Sequence, residues 1–241
     1  VNSLLKGLAG ANIDVVLLQR HLLIDAQLQQ LIEQQGVCQV IELAAGLSPR
    51  GYRLCQRYPQ LSYIETDLPA MAQRKQILLH KLQAPKRHQV RSCNILHSQG
   101  SDSIEAIVAD MDRSQPLVII SEGLVNYFQL SQIRGVWQRR DALLGECTQG
   151  YYLTDLYLDL VEHPSYRYVK MAQKLVGFFT RGDWPLHYRS HDEIIQGFSN
   201  DGFASVEVID PADCYDQLDI PRVNTPTMVR LIKAQATASG H

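Results

Sequence analysis

Residues 37–51 read Val37-Cys-Gln-Val-Ile-Glu-Leu-Ala-Ala-Gly-Leu-Ser-Pro-Arg-Gly51, a buried strand that runs straight into a turn of small residues. Ala44, Ala45 and Gly46 allow a ligand to approach the backbone where larger side chains would block it, and they leave amide donors available. Nucleotide cofactors of several kinds use such a strand-turn-helix opening. An ordinary tight turn has the same look, so the stretch marks a cradle without naming what lies in it.

Outward from this strand, short apolar runs alternate with helix-length amphipathic segments, which argues for an α/β layered fold with parallel strands. Seven strands are expected, at Val37–Ala45, Leu61–Asp67, His88–Asn94, Leu117–Glu122, Tyr151–Asp155, Ala204–Ile209 and Met228–Lys233. Helical patterns lie between them at Arg50–Tyr58, Pro69–Leu82, Ser101–Met111, Ser131–Leu144 and His191–Asn200, with Pro69 and Ser131 suited to helix starts. The last two strands are joined by a polar, proline-containing loop with no helical pattern, so they are expected to pair antiparallel. A parallel α/β sheet closed by such a pair is the Class I methyltransferase (Rossmann-like) pattern, whereas a dinucleotide-binding sheet would continue with another helical crossover. This favours S-adenosylmethionine as the ligand.

The chain has 241 residues and 45% hydrophobic content, enough for one substantial core, and a single domain (1–241) is the simplest reading. Residues 1–36 read as an N-terminal helical cap, amphipathic over Leu17–Ile32, and residues 158–190 as a helical lid insertion. In the lid, Leu160, Tyr168, Met171, Leu175 and Phe178 space loosely along one side, as core packing would also require. A formal charge of -2 supplies no electrostatic reason to expect nucleic acid or an anionic membrane as partner. The 5 cysteines are widely spaced, odd in number and free of any CxxC pair, which disfavours a disulfide scaffold and a metal site. With no apolar run of membrane-spanning length and no signal-like start, a cytoplasmic location is expected.

In open α/β sheets ligands bind outside the carboxyl ends of the strands, and here those ends are polar. The second strand ends in Ile64-Glu65-Thr66-Asp67, where a carboxylate can accept from both ribose hydroxyls; Asp67 is the first choice and Glu65 the reserve. Asp67 could instead cap the helix that starts at Pro69. The third ends in Ser92-Cys93-Asn94-Ile95, a place to hold an adenine edge, although Asn94 also suits a simple turn. The fourth delivers Ser121 and Glu122, followed by Gly123, Tyr127 and Phe128. A charge directly after a buried strand needs a partner: the sulfonium and ammonium of the cofactor would serve, as would a structural arginine.

Three ordered segments, Glu42-Leu-Ala-Ala-Gly-Leu-Ser-Pro-Arg-Gly51, Glu65-Thr-Asp-Leu-Pro69 followed by Lys75, and Ser121-Glu-Gly-Leu-Val-Asn-Tyr-Phe128, resemble the leucine carboxyl methyltransferase family and its bacterial tetracenomycin-type polyketide O-methyltransferase relatives. The resemblance is good over Gln19–Phe128 and continues weakly through Thr154-Asp155 and Gly202-Phe203. It implies the Class I fold and S-adenosylmethionine. In that family an arginine upstream of the first strand binds the cofactor carboxylate, and Gln19-Arg20-His21-Leu22-Leu23-Ile24-Asp25 is similar to that element, so the role passes to Arg20, whose fork suits a carboxylate. By the same resemblance Gly46 lines the methionyl portion, Asp67 takes the ribose, Asn94 and Ile95 sit by the adenine, and Glu122 faces the methionyl end. The expected cofactor set is Arg20, Glu42, Ala44, Gly46, Glu65, Asp67, Leu68, Cys93, Asn94, Ile95 and Glu122. Tyr127 and Glu122 are the expected catalytic pair, and no metal is expected. The region before Arg20 is shorter than in family members, and Gln129-Leu-Ser131 lacks their usual acidic run, so the acceptor half departs more than the cofactor half.

The reaction implied is methyl transfer to a carboxylate or hydroxyl oxygen of a polyketide-like or carrier-bound small molecule, or to a peptide carboxylate; a homodimer is compatible with this reading. A carboxylate acceptor is already ionised at neutral pH, whereas a phenol would use a base from among His97, His187, His191 and Asp155. Arg181 near Trp184 suits an acidic acceptor or plain solvent. Tyr166-Arg-Tyr-Val-Lys170 matches the Tyr-x-x-x-Lys pair of NAD(P)-dependent Rossmann oxidoreductases, but Ala44–Gly51 lacks the glycine spacing which that chemistry needs. A non-catalytic protein that binds S-adenosylmethionine is the remaining alternative.

Overall fold

The computed structural model describes residues 13–159, 185–223 and 227–237. Seven strands, β1 (Gln39–Leu43), β2 (Ser62–Asp67), β3 (His88–Ser92), β4 (Leu117–Ser121), β5 (Gly150–Tyr157), β6 (Ser205–Ile209) and β7 (Val229–Gln235), form one sheet in the order β3-β2-β1-β4-β5-β7-β6. β1 to β5 pair in parallel, while β7 runs antiparallel to both β5 and β6. The expected antiparallel terminal pair is therefore present, with β7 inserted between β5 and β6.

Among the described residues six helices flank the sheet: α1 (Ile13–Gln35), α2 (Arg50–Arg57), α3 (Pro69–Lys81), α4 (Ile104–Val108), α5 (Leu130–Gly145) and α6 (His191–Asn200). Strand residues alternate between two cores, as a period of two requires. Val40, Tyr63, Val118, Ile120 and Leu153 pack with Leu23, Ile24 and Leu28 of α1 and Leu54 of α2. Ile41, Leu43, Ile119 and Tyr152 pack on the other face with Ile104, Val136, Trp137 and Phe198. Both faces are covered, which explains why the inner strands read as nearly continuous apolar runs.

Local chemistry sets the helix starts. Pro69 opens α3 at its first turn, and Ser190 caps α6 by accepting from the Glu193 amide at 3.1 Å. The helix expected over Ser101–Met111 is shorter, Ile104–Val108, because the Ser103 hydroxyl accepts from the Ala106 amide and fixes the start, while Asp110 and Met111 turn back onto Ile107 and Val108. β5 continues beyond Asp155 to Tyr157 because β7 pairs with it as far as Tyr157↔Val229. Within the stretch expected as a cap, residues 13–35 form α1, which Gln19 ties to the β6–β7 connection through the Tyr215 hydroxyl (2.8 Å) and the Pro221 carbonyl (2.7 Å). Most of the expected lid, with the Tyr166/Lys170 pair, Arg181 and Trp184, lies outside the described residues. Among the described residues no helix is long and apolar enough to cross a membrane.

Candidate active site

The order β2-β1-β4 places the switch point between β1 and β4, where connections leave in opposite directions and open a crevice above the strand ends. Register brings the tips level: Glu42 pairs with Glu65, and Leu43 with Ser121. Gly46, Asp67 and Glu122 thus converge from three adjacent strands. In the turn after β1, Ala44 and Gly46 both adopt left-handed backbone (φ 51° and 53°). Such a conformation costs a non-glycine residue about 1–2 kcal/mol, so Ala44 stores strain at this turn. Nothing lies within 4 Å of where a Cβ on Gly46 would be, so the turn faces open space.

Asp67 locks this turn. Its Oδ2 accepts from the Gly46 amide and its Oδ1 from the Leu68 amide, each at 2.8 Å. It does not cap α3, whose N-cap is Leu68 without any side-chain bond. Each carboxylate oxygen keeps a second acceptor position. Leu68 is exposed beside it.

Beneath the crevice floor lies a buried charge network that sequence reasoning did not assemble. Arg50, the first residue of α2 and fully buried, sends Nε to Asp25 (2.5 Å), Nη1 to Glu42 (2.5 Å) and Nη2 to Glu122 (2.6 Å). Glu42 also accepts from the Tyr63 hydroxyl at 2.6 Å, so its two oxygens are engaged below the crevice. Burial raises its pKa. His21 reaches Glu122 through Nδ1 at 3.1 Å, and Arg53 pairs with Asp25 at 2.5 Å. Two clues were available. Glu42 is a charge within Val-Ile-Glu-Leu, which demands a buried partner, and Arg50 is the nearest cation after it. His21 and Asp25 stand one helical turn apart in the segment that carries Arg20.

Arg20 and Glu122 complete the floor. Arg20 Nε lies 3.2 Å from Glu122 Oε1 and Nη1 lies 3.3 Å from Asp155 Oδ2, and the Arg20 and Glu122 side chains each keep 15% of their surface exposed. Burial alone would push the Glu122 carboxyl up; the His21 hydrogen bond and the Arg50 and Arg20 guanidinium groups outweigh it and bring the pKa to about 2. Gly123 (φ 66°) lets the guanidinium lie against the backbone, since a Cβ there would stand 3.1 Å from both terminal nitrogens. The Gly123 amide donates to Asp155 Oδ1 at 2.6 Å, which fixes that carboxylate against Arg20. Glu122 therefore has the structural arginines that the sequence left as an alternative, and it still shows a face to the crevice.

Other expected positions are placed differently. Glu65 is fully buried against Lys75 (2.7 Å) and His88 (3.3 Å), under α2 at Gly51, and is not brought to the crevice. Its burial is possible because the strand turns it onto the helix layer, two residues short of the tip. The Cys93 and Ile95 side chains belong to the core, and the Cys93 amide donates to the Asp67 carbonyl. Asn94 serves its own loop, accepting from the Leu96 amide (3.1 Å) and contacting His97 (3.0 Å). Tyr127 ends a 3-10 turn (Val125–Tyr127) beyond Gly123 and is 52% exposed. Of the bases considered, His97 pairs with Asp102 on the outer loop, His191 accepts from Arg230 (2.6 Å), and His187 contacts the Val125 carbonyl (3.4 Å). Among the described residues no group of side chains could hold a metal ion.

The fold and this crevice define the Class I methyltransferase architecture. A family model for leucine carboxyl methyltransferase matches residues 7–139, more than half of the chain, and the chain belongs to that family. No curated protein sequence matches it significantly. Among solved structures, a Thermobifida fusca protein provisionally classed as a methyltransferase is 16% identical with a TM-score of 0.67, over 91% of this chain and 81% of that one. A Nostoc punctiforme protein provisionally classed as an O-methyltransferase is 12% identical with a TM-score of 0.59, over 89% of this chain. The chain spans 56% of that protein's length. The Synechocystis magnesium protoporphyrin IX methyltransferase, solved with S-adenosylhomocysteine bound, is 10% identical with a TM-score of 0.54 over 90% of this chain and 84% of that one.

Proposed function

We propose that the chain is an S-adenosylmethionine-dependent O-methyltransferase that modifies a carboxylate or hydroxyl oxygen of a small or carrier-bound molecule or of a peptide. The observation that carries this reading is the pair of opposite charges, Arg20 and Glu122, partly open at the crevice floor and 3.2 Å apart, beside Asp67 and the open Gly46 turn. An α-amino acid head group is a zwitterion. Arg20 suits its carboxylate, and Glu122, ionised down to about pH 2, suits its ammonium. The remaining acceptor positions of Asp67 suit a vicinal diol, and Leu68 offers an apolar flank to a base. These matches support the reading for the amino acid head group, the ribose and one flank of the base.

When bound, the cofactor supplies an electrophilic methyl on a sulfonium. The chain's part is to hold the acceptor in line and keep water out. Tyr127, half exposed in the 3-10 turn beyond Gly123, is the residue we assign to meet the acceptor. A carboxylate acceptor needs no base; for a hydroxyl acceptor we assign the base to His187. His187 contacts the Val125 carbonyl (3.4 Å) at the start of the turn that carries Tyr127, and burial lowers its pKa. Asp155 is engaged with Arg20 and the Gly123 amide, which favours His187 over it.

Incubation with methyl-labelled S-adenosylmethionine and a panel of carboxylic and phenolic acceptors tests the proposal. Label should move to an acceptor oxygen with release of S-adenosylhomocysteine. Tight binding of the cofactor with no release across the panel would support a non-catalytic binding protein instead.

A further inference from the structure

We infer that the outward ridge of α3 is a docking surface for an anionic lipid bilayer, independent of the crevice chemistry. The formal charge of -2 averages over an uneven distribution: residues 68–101 hold six of the 23 Lys and Arg and none of the 25 Asp and Glu. Three of those cations are used internally. Lys75 pairs with Glu65, Arg87 bonds the Cys55 carbonyl and Arg91 pairs with Asp110. The other three, Arg74, Lys81 and Lys86, are exposed and make no ion pair or side-chain hydrogen bond among the described residues.

The inner face of α3 is satisfied by Ala72, Lys75 and Leu79 against the sheet. Its outer face nevertheless carries Ile77 (53% exposed) and Leu78 (40%), and Leu82 (52%) follows directly at the helix end. With Arg74 and Lys81 at helical spacing, these side chains form one ridge on which cations and aliphatics alternate, and exposed Lys86 follows in the loop after the helix. A solvated face would not present three large aliphatics together. A second copy of this face across a two-fold axis would meet like charge. A bilayer adapts to the ridge: aliphatic side chains dip beneath the headgroups while the longer Lys and Arg reach the phosphates.

Co-sedimentation of the full chain with vesicles of phosphatidylglycerol mixed with phosphatidylcholine, and of phosphatidylcholine alone, tests this. Binding should require phosphatidylglycerol, weaken with salt, and fall about tenfold or more in the variant Arg74→Glu/Lys81→Glu/Lys86→Glu. The variant Ile77→Ser/Leu82→Ser should also bind less while keeping its charge. Thermal melting and calorimetric S-adenosylmethionine affinity should be unchanged in both, which separates this inference from the proposed function. Equal binding to both vesicle types, absence of binding, or insensitivity to charge reversal would overturn it. So would capture by soluble polyglutamate without vesicle binding, which would assign the ridge to an acidic protein.

Discussion

Arg50 is the residue on which the floor of the crevice depends. It neutralises carboxylates from α1, β1 and the end of β4 with three separate nitrogens, a geometry that a planar fork can satisfy and a single ammonium cannot. Arg50→Met should destabilise the fold by about 3–5 kcal/mol in urea unfolding, because it leaves buried carboxylates uncompensated. Arg50→Lys should recover only part of this. Glu122 carries a pH signature. Its folded pKa of about 2 lies below the ordinary value of 4.5, so its stabilisation is present above pH 4.5 and disappears as pH falls toward 2. The span corresponds to about 3 kcal/mol. Glu42 and Asp155 act with the opposite sign, since burial raises both, so the test is a difference. Between pH 5 and about 3, the stability gap separating the native protein from Glu122→Gln should narrow, and a constant gap would show that the ion pairs contribute nothing.

At the scale of elements, α1 and α2 work as a unit that holds the strand tips. α1 contributes Arg20, His21 and Asp25, α2 contributes Arg50, and both pack on the same face of the sheet. Cofactor binding should therefore slow amide hydrogen exchange across residues 19–25 and 44–48 and leave α3 unchanged. Uniform protection, or protection confined to α3, would contradict this arrangement. The strands were readable because the buried ones are mainly short apolar runs that give way to polar residues where they end, as at Asp67 and Glu122. What escaped reading was pairing across sequence distance. Nothing local marks that Arg50 will meet Asp25, or that Glu65 will turn under Gly51 instead of reaching the crevice, since both follow from how α2 lies on the sheet. Cys93 and Ile95 show the same limit, because a loop after a strand looks polar until its side chains are seen to face the core.

For the whole molecule, the sheet order and both cores are consequences of one pattern: parallel strands covered on both faces by helices, with β7 reversed between β5 and β6. The switch point between β1 and β4 puts Gly46, Asp67 and Glu122 within reach of one extended ligand. The charge distribution separates two surfaces, a crevice floored by paired charges and a basic ridge on α3. Family membership and fold agree with the first, while the second rests on exposure and charge alone. A crystal structure of the chain soaked with S-adenosylhomocysteine tests the central claim most directly. The ribose should lie on Asp67, the homocysteine head group should lie between Arg20 and Glu122, and the backbone at Gly46 should line the thioether; a ligand bound elsewhere, or one that leaves Asp67 and Glu122 untouched, would contradict it.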